Sequence, residues 1–174
     1  DLFLSILPLA HAFERTMGCV LPITVGARVA YAPSLLQLRR DLRAVRPTAI
    51  MGVPRFYEKI LESARREAAQ SPLRRRLFEA TARIGWAVFA GRNGLGRGPS
   101  PLDRLAWPLL RRLVGRRVME AFGGRLRVAV SGGARLEPAA ARDLIGLGLP
   151  LVEGYGLSEA GPVVTASSLE DYVP

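Results

Sequence analysis

The feature that most limits how this chain can fold is a repeated alternation of short apolar β-type runs with segments of helical spacing. Leu2 to Pro8 is one such run, Arg28 to Tyr31 is a second after Gly26, and Ala49-Ile50-Met51-Gly52-Val53 is a third. Between the second and third, Leu35 to Val45 carries helical spacing and stops at Arg46-Pro47-Thr48. Pro54 stands where proline is tolerated, in the first turn of the next helix, with Phe56, Ile60 and Ala64 on one face. Leu126 to Ala134 is again β-rich and breaks at Gly132-Gly133. Pro138 to Leu147 reads as a helix begun by Glu137, and the apolar run Leu147 to Val152 as a buried strand. Such alternation predicts an α/β fold, a mostly parallel, doubly wound sheet flanked by helices.

A helical excursion over about 55–124 interrupts the alternation. Its segments 73–78 and 102–122 read as basic amphipathic helices, separated by the glycine-rich surface loop Gly91 to Pro99. The expectation is that their apolar sides pack on the core and their arginines face solvent, with a membrane-surface role as the alternative.

At 174 residues, 49% hydrophobic and 23% charged, the chain suits one globular domain or part of one. It runs from Asp1 directly into Leu2-Phe3-Leu4 and closes at Pro174, so we expect part of a domain. A net charge of +10 would suit nucleic acid or an anionic membrane. Lys59, however, is the only lysine, and the arginines are dispersed among Asp and Glu with no aromatic ladder, which argues for a solvated surface instead. The single cysteine, Cys19, rules out an internal disulfide and a cysteine-rich metal site, and is expected to be a buried thiol. The longest uncharged stretch, Thr16 to Ala27, contains Pro22 and is too short to cross a bilayer. The expected location is cytoplasmic, at most peripheral to a membrane.

Chemistry concentrates in two glycine loops. Gly154-Tyr155-Gly156-Leu157-Ser158-Glu159 places a ring, two permissive glycines, a hydroxyl and a carboxylate together after an apolar run. A ring can face a base, backbone N–H groups and a hydroxyl can hold phosphate, and a carboxylate can take Mg²⁺. Ordinary turn chemistry explains the same spacing equally well. A hydrolase elbow is excluded because its closing glycine comes one residue late and the sole histidine, His11, precedes the serine. Ser131-Gly132-Gly133-Ala134 lacks the Gly-Lys-Ser/Thr of a P-loop, leaving close approach to a flat ligand or a tight turn. Zinc at His11 is disfavoured, since no second histidine exists.

Four pieces stand in one order: Leu7-Pro8-Leu9-Ala10-His11-Ala12-Phe13-Glu14-Arg15, Gly52-Val53-Pro54-Arg55-Phe56-Tyr57-Glu58-Lys59-Ile60, Ser131 to Leu136, and Glu153 to Glu159. Together they resemble the adenylate-forming superfamily of acyl-CoA synthetases, peptide-synthetase adenylation domains and luciferases. The first two pieces resemble its long-chain fatty acyl-CoA synthetases in particular. The resemblance implies that residues 1–174 are the central part of one AMP-binding N-terminal domain. It also implies activation of a fatty acid by Mg·ATP to acyl-AMP, followed by transfer to coenzyme A. By position, Tyr155 would stack on adenine between Gly154 and Gly156, with Leu157 beside it, Ser158 would bond the α-phosphate, and Glu159 would bind Mg²⁺. Gly132, Gly133 and Ala134 would line the adenine and acyl pocket, and His11 would sit near the acyl carboxylate. Ser158 replaces the usual threonine, and Arg135 stands where the family often has proline. The family's phosphate loop, ribose-binding aspartate and catalytic lysine do not occur in these residues, so the chain alone is expected to be inactive. Partners would be fatty acid, ATP and coenzyme A rather than nucleic acid. The rival readings are an aryl-CoA or amino-acid-activating enzyme, or a non-catalytic basic module.

Overall fold

Strands β1 (Leu2–Ser5), β2 (Arg28–Tyr31), β3 (Ala49–Gly52), β4 (Val128–Ser131), β5 (Leu151–Tyr155) and β6 (Thr165–Ala166) form one sheet in the order β2-β1-β3-β4-β5-β6. Every pairing from β2 to β5 is parallel, and β6 runs antiparallel on β5. The computed structural model describes residues 1–34 and 37–168, so the opening of the helix expected over Leu35 to Val45 lies outside the described residues.

The strands alternate their side chains between two cores, as a pleated ribbon must. Leu4, Ile50, Ala129 and Leu151 point into a large core built with helices α3 (Leu38–Val45), α4 (Pro54–Ala68), α5 (Pro72–Arg92), α7 (Arg116–Ala121) and α8 (Pro138–Gly146). Phe3, Met51, Val130 and Val152 point the other way, into a smaller core shared with Phe13. That second face carries a helical run over 12–24, composed of α1 (Ala12–Glu14), a π-helical stretch (Arg15–Val20) and α2 (Leu21–Thr24). Sequence periodicity did not reveal this run.

Helix starts follow local chemistry. Pro54, Pro72 and Pro138 each occupy the first turn, where a missing N–H costs nothing, as does Pro101 at the start of α6 (Pro101–Leu110). Ser100 caps α6 by accepting from Asp103 N–H at 3.2 Å, and Glu137 caps α8 by accepting from Ala140 N–H at 2.8 Å. Helices α5 and α8 cross at two glycines. A Cβ on Gly85 would run into the Gly146 carbonyl, and one on Gly146 into the Ala82 carbonyl.

Three expectations are corrected. The strand expected over Leu147 to Val152 starts only at Leu151, because Leu149 N–H closes the end of α8 on Leu144 O and Gly148 turns at φ 100°. The strand then continues through Tyr155 into what reads as loop in the sequence. Cys19 is half-buried rather than buried, and the Tyr31 hydroxyl donates to its Sγ at 3.5 Å. Over 102–122 the core takes Leu110, Val118 and Phe122, whereas Leu102 and Leu105 are 79% and 81% exposed. The 110–114–118 stripe meets the core, and the leucines at 102, 105 and 109 lie off it, accompanied by the exposed Leu113. Among the described residues no helix is long and apolar enough to cross a membrane.

Candidate nucleotide and acyl site

All four sequence pieces come to the carboxyl edge of the parallel strands, where ligands bind in open α/β sheets. Parallel register sets the arrangement: Gly52 lies beside Ser131, and Ser131 beside Glu153. Gly132 N–H continues the ladder by donating to Gly52 O at 3.0 Å. The second and third pieces therefore leave the sheet side by side, and the fourth leaves it next to the third.

Glu153 ties the two glycine loops together. Its Oε1 accepts from Leu136 N–H at 2.9 Å, so the carboxylate on β5 fixes the far end of the loop that starts at Gly132. Its carbonyl accepts from Ser167 N–H and Ser167 Oγ at 2.9 and 3.1 Å, anchoring the return strand. Beyond β5, Ser158–Ala160 make one 3-10 turn, ended by Gly161 at φ 82°. The loop folds back tightly enough that a Cβ on Gly156 would enter the Pro162 carbonyl. Tyr155 is 62% exposed, and Leu157, Ser158 and Glu159 are also exposed, so ring, hydroxyl and carboxylate are presented outward on a short turn.

The histidine segment approaches from the second face. Phe13 packs edge-on over Gly132, where a Cβ would lie 2.8 Å from the ring, so glycine is required for that contact. Gly133, at φ 81°, supplies a left-handed turn that a side chain would strain. His11 is the exposed residue before α1, and its carbonyl accepts from Arg15 N–H at 3.0 Å.

Periodicity did not mark the residue that holds this segment, Glu14. It is fully buried, and its Oε1 accepts from Ile6 N–H at 3.2 Å. That bond ends β1 at Ser5, because the side chain replaces a strand partner. Burial raises the Glu14 carboxyl above its ordinary 4.5, opposed by hydrogen bonds from Ser5, Ile6 and Leu7 and by the nearby His11. Gly18, within the π-helical stretch, leaves the space the carboxylate fills, and a Cβ there would overlap Glu14 Oε1. A widened turn of this kind often accompanies a functional position.

Two more buried groups support the edge. The Tyr57 hydroxyl donates to Val130 O at 2.9 Å, crossing under β4, and burial drives its pKa far upward. Among the described residues Ser131 Oγ and Glu14 Oε2 are buried without a hydrogen-bond partner. The signal in the sequence was a lone charge: Glu153 is the only charged residue between Asp143 and Glu159.

The donor set has defined capacities. Among the described residues no three His, Cys, Asp or Glu side chains cluster as a metal cage. A single outward carboxylate such as Glu159 fits Mg²⁺ held jointly with phosphate oxygens, which is how that ion is ordinarily bound. The exposed Tyr155 ring beside Gly154 and Gly156 fits a planar base.

A family model described as AMP-binding enzyme matches residues 1–174. The chain belongs to the AMP-binding enzyme family. It is 34% identical over 173 residues to long-chain-fatty-acid–CoA ligase FadD15 of Mycobacterium tuberculosis, covering 97% of this chain and 27% of that protein. It is 35% identical over 164 residues to long chain acyl-CoA synthetase 1 of Arabidopsis thaliana, covering 91% of this chain and 23% of that one. The chain thus spans about a quarter of the length of these curated relatives. Among solved structures, ATP-bound MatB from Rhodopseudomonas palustris shares the fold at TM-score 0.58 and 18% identity, over 98% of this chain and 24% of that one.

Proposed function

We propose that residues 1–174 are the central part of the AMP-binding domain of a long-chain fatty acid–CoA ligase, acting in the cytoplasm on fatty acid, ATP and coenzyme A. The observation that carries this reading is the meeting of the His11 segment, the Gly132–Ala134 turn and the Tyr155–Glu159 turn at one sheet edge, in a chain whose named relatives are such ligases.

In the first step a carboxylate oxygen of the fatty acid attacks the α-phosphorus of ATP, the bond to the β-phosphate oxygen breaks, and pyrophosphate leaves. In the second, the coenzyme A sulfur attacks the acyl carbon, the carbon–oxygen bond to AMP breaks, and the thiol proton is lost. Both steps bring anions together, so the site needs fixed donors where charge collects. Tyr155 offers its face to adenine, with Gly154 and Gly156 allowing the base to approach. Ser158 Oγ donates to an α-phosphate oxygen, and Gly132, Gly133 and Ala134 wall the adenine and acyl pocket. His11 orients the acyl carboxylate from the opposite side. Glu159 with phosphate oxygens would hold Mg²⁺, which supplies positive charge to the phosphates when bound.

The test is Glu159→Ala in the full-length protein. Fatty-acid-dependent pyrophosphate release should fall by about a hundredfold or more, the scale for losing one electrostatic contact to reacting phosphate. Near-normal release would overturn the assignment.

A further inference from the structure

A cavity of ≈ 490 Å³ lies well away from the glycine loops, in the helical layer on the opposite face of the sheet from the His11 helix. Its floor is apolar: Ile60, Phe78 and Val118 belong to the large core, and Leu77 and Val114 continue it outward. Its rim is basic. Arg39 and Arg43 reach it from α3, Arg74 from the first turn of α5, and Arg117 from α7.

Among the described residues these four arginines carry no ion pair, as is true of most arginines in the chain. Arg65, Arg75, Arg83 and Arg116 each have a carboxylate partner within 4 Å, whereas Arg39, Arg43, Arg74 and Arg117 have none among the described residues. Of the two acidic residues at the rim, Glu120 is held by Arg116 at 3.0 Å, leaving Glu67 to face four cations. Like charges gathered round an apolar hollow oppose one another until an anion joins them. The volume is within the usual range for small-molecule sites, about 300–1,000 Å³. Guanidinium forks match carboxylate and phosphate oxygens in pairs.

We propose that this cavity binds an amphiphilic anion, an aliphatic chain on the apolar floor with its carboxylate or phosphate head at Arg39, Arg43, Arg74 and Arg117. The site is separate from the proposed adenylate site and does not depend on it.

The experiment is calorimetric titration of the full-length protein with dodecanoate and with dodecyl phosphate, both below their micelle concentrations. The readout is binding that an Arg43→Gln/Arg74→Gln variant weakens. At least one probe should saturate a site that this variant weakens by roughly tenfold or more, the scale of lost charge-assisted bonds. The tighter probe then identifies the head group. Because all four side chains are exposed, Arg39→Gln/Arg117→Gln is an independent second variant with the same expected loss. Butyl phosphate should bind at least about a hundredfold more weakly than dodecyl phosphate, since it cannot fill the floor. Glu159→Ala should leave this binding unchanged, so the reading of the adenylate site can fail without touching the cavity. Arginine-independent binding, equal affinity for butyl and dodecyl phosphate, or loss of binding in Glu159→Ala would each overturn the proposal.

Discussion

The two faces of the sheet are built for different purposes. One is sealed by five helices over a continuous core that includes Leu42, Ile50, Leu61, Leu144 and Leu151, all almost fully buried. Among the described residues the other has a core of six buried residues and one irregular helical run, which carries Phe13 to the glycine turn with His11 just ahead of it. On the first face stability comes from apolar area, which is diffuse and shared. On the second, a few polar and backbone contacts hold the geometry: Glu14 on Ile6 and Phe13 on Gly132. The comparison teaches that the scaffold and the candidate site are separable, and each face should fail in its own way.

The largest effect should come from the sealed face. Leu144→Ala removes a fully buried side chain and should cost about 2–5 kcal/mol. Denaturant unfolding of the full-length protein checks this, and nucleotide affinity of the remaining folded fraction should be unchanged. A second, smaller stability effect belongs to the other face. Gly132→Ala forces a methyl against the Phe13 ring and should cost about 1–3 kcal/mol. Here the loss of pyrophosphate release should exceed what the unfolded fraction explains. If the two variants show the same ratio of stability loss to activity loss, the separation of the faces is wrong.

The smallest effect is a pH dependence. The folded-state pKa of Glu14 is raised, so the folded protein holds its proton more tightly than the unfolded chain does. Stability relative to a Glu14→Gln variant, which does not titrate there, should therefore rise as pH falls from neutral through the raised pKa to 4.5. Melting temperatures of both proteins between pH 7.5 and 5 give the difference, and a flat or falling difference would contradict the burial argument.

Much of the sealed face was legible. Apolar runs marked β2 at its exact ends and β1, β3 and β4 within a few residues, and prolines marked the starts of α4 and α8. Such signals are local: a strand buried on both faces must be apolar throughout, and a helix start must dispose of its free N–H groups. The 12–24 run was not legible, because Pro22, Gly18 and an interrupted apolar period hide it until Glu14 and Gly18 are seen to fit each other. Nor were the outward leucines of α6, since the apolar spacing over 102–122 allows more than one core-facing stripe and only packing chooses between them.

For the candidate site the division is similar. The sequence alone determined which groups are available: His11, the paired Gly132 and Gly133, and Tyr155, Ser158 and Glu159 in one short segment, together with the order that ties them to AMP-binding enzymes. Tertiary structure decided that these groups share one edge, because parallel register alone places Gly52, Ser131 and Glu153 abreast. It also decided that Tyr155 belongs to a strand, that Glu153 joins the two loops, and that arginines from three separate helices meet at one cavity. The physical reason is range. Turn chemistry and strand or helix preference act over a few residues, whereas a carboxylate 17 residues from the N–H it accepts, as in Glu153 and Leu136, finds it only once the sheet has formed.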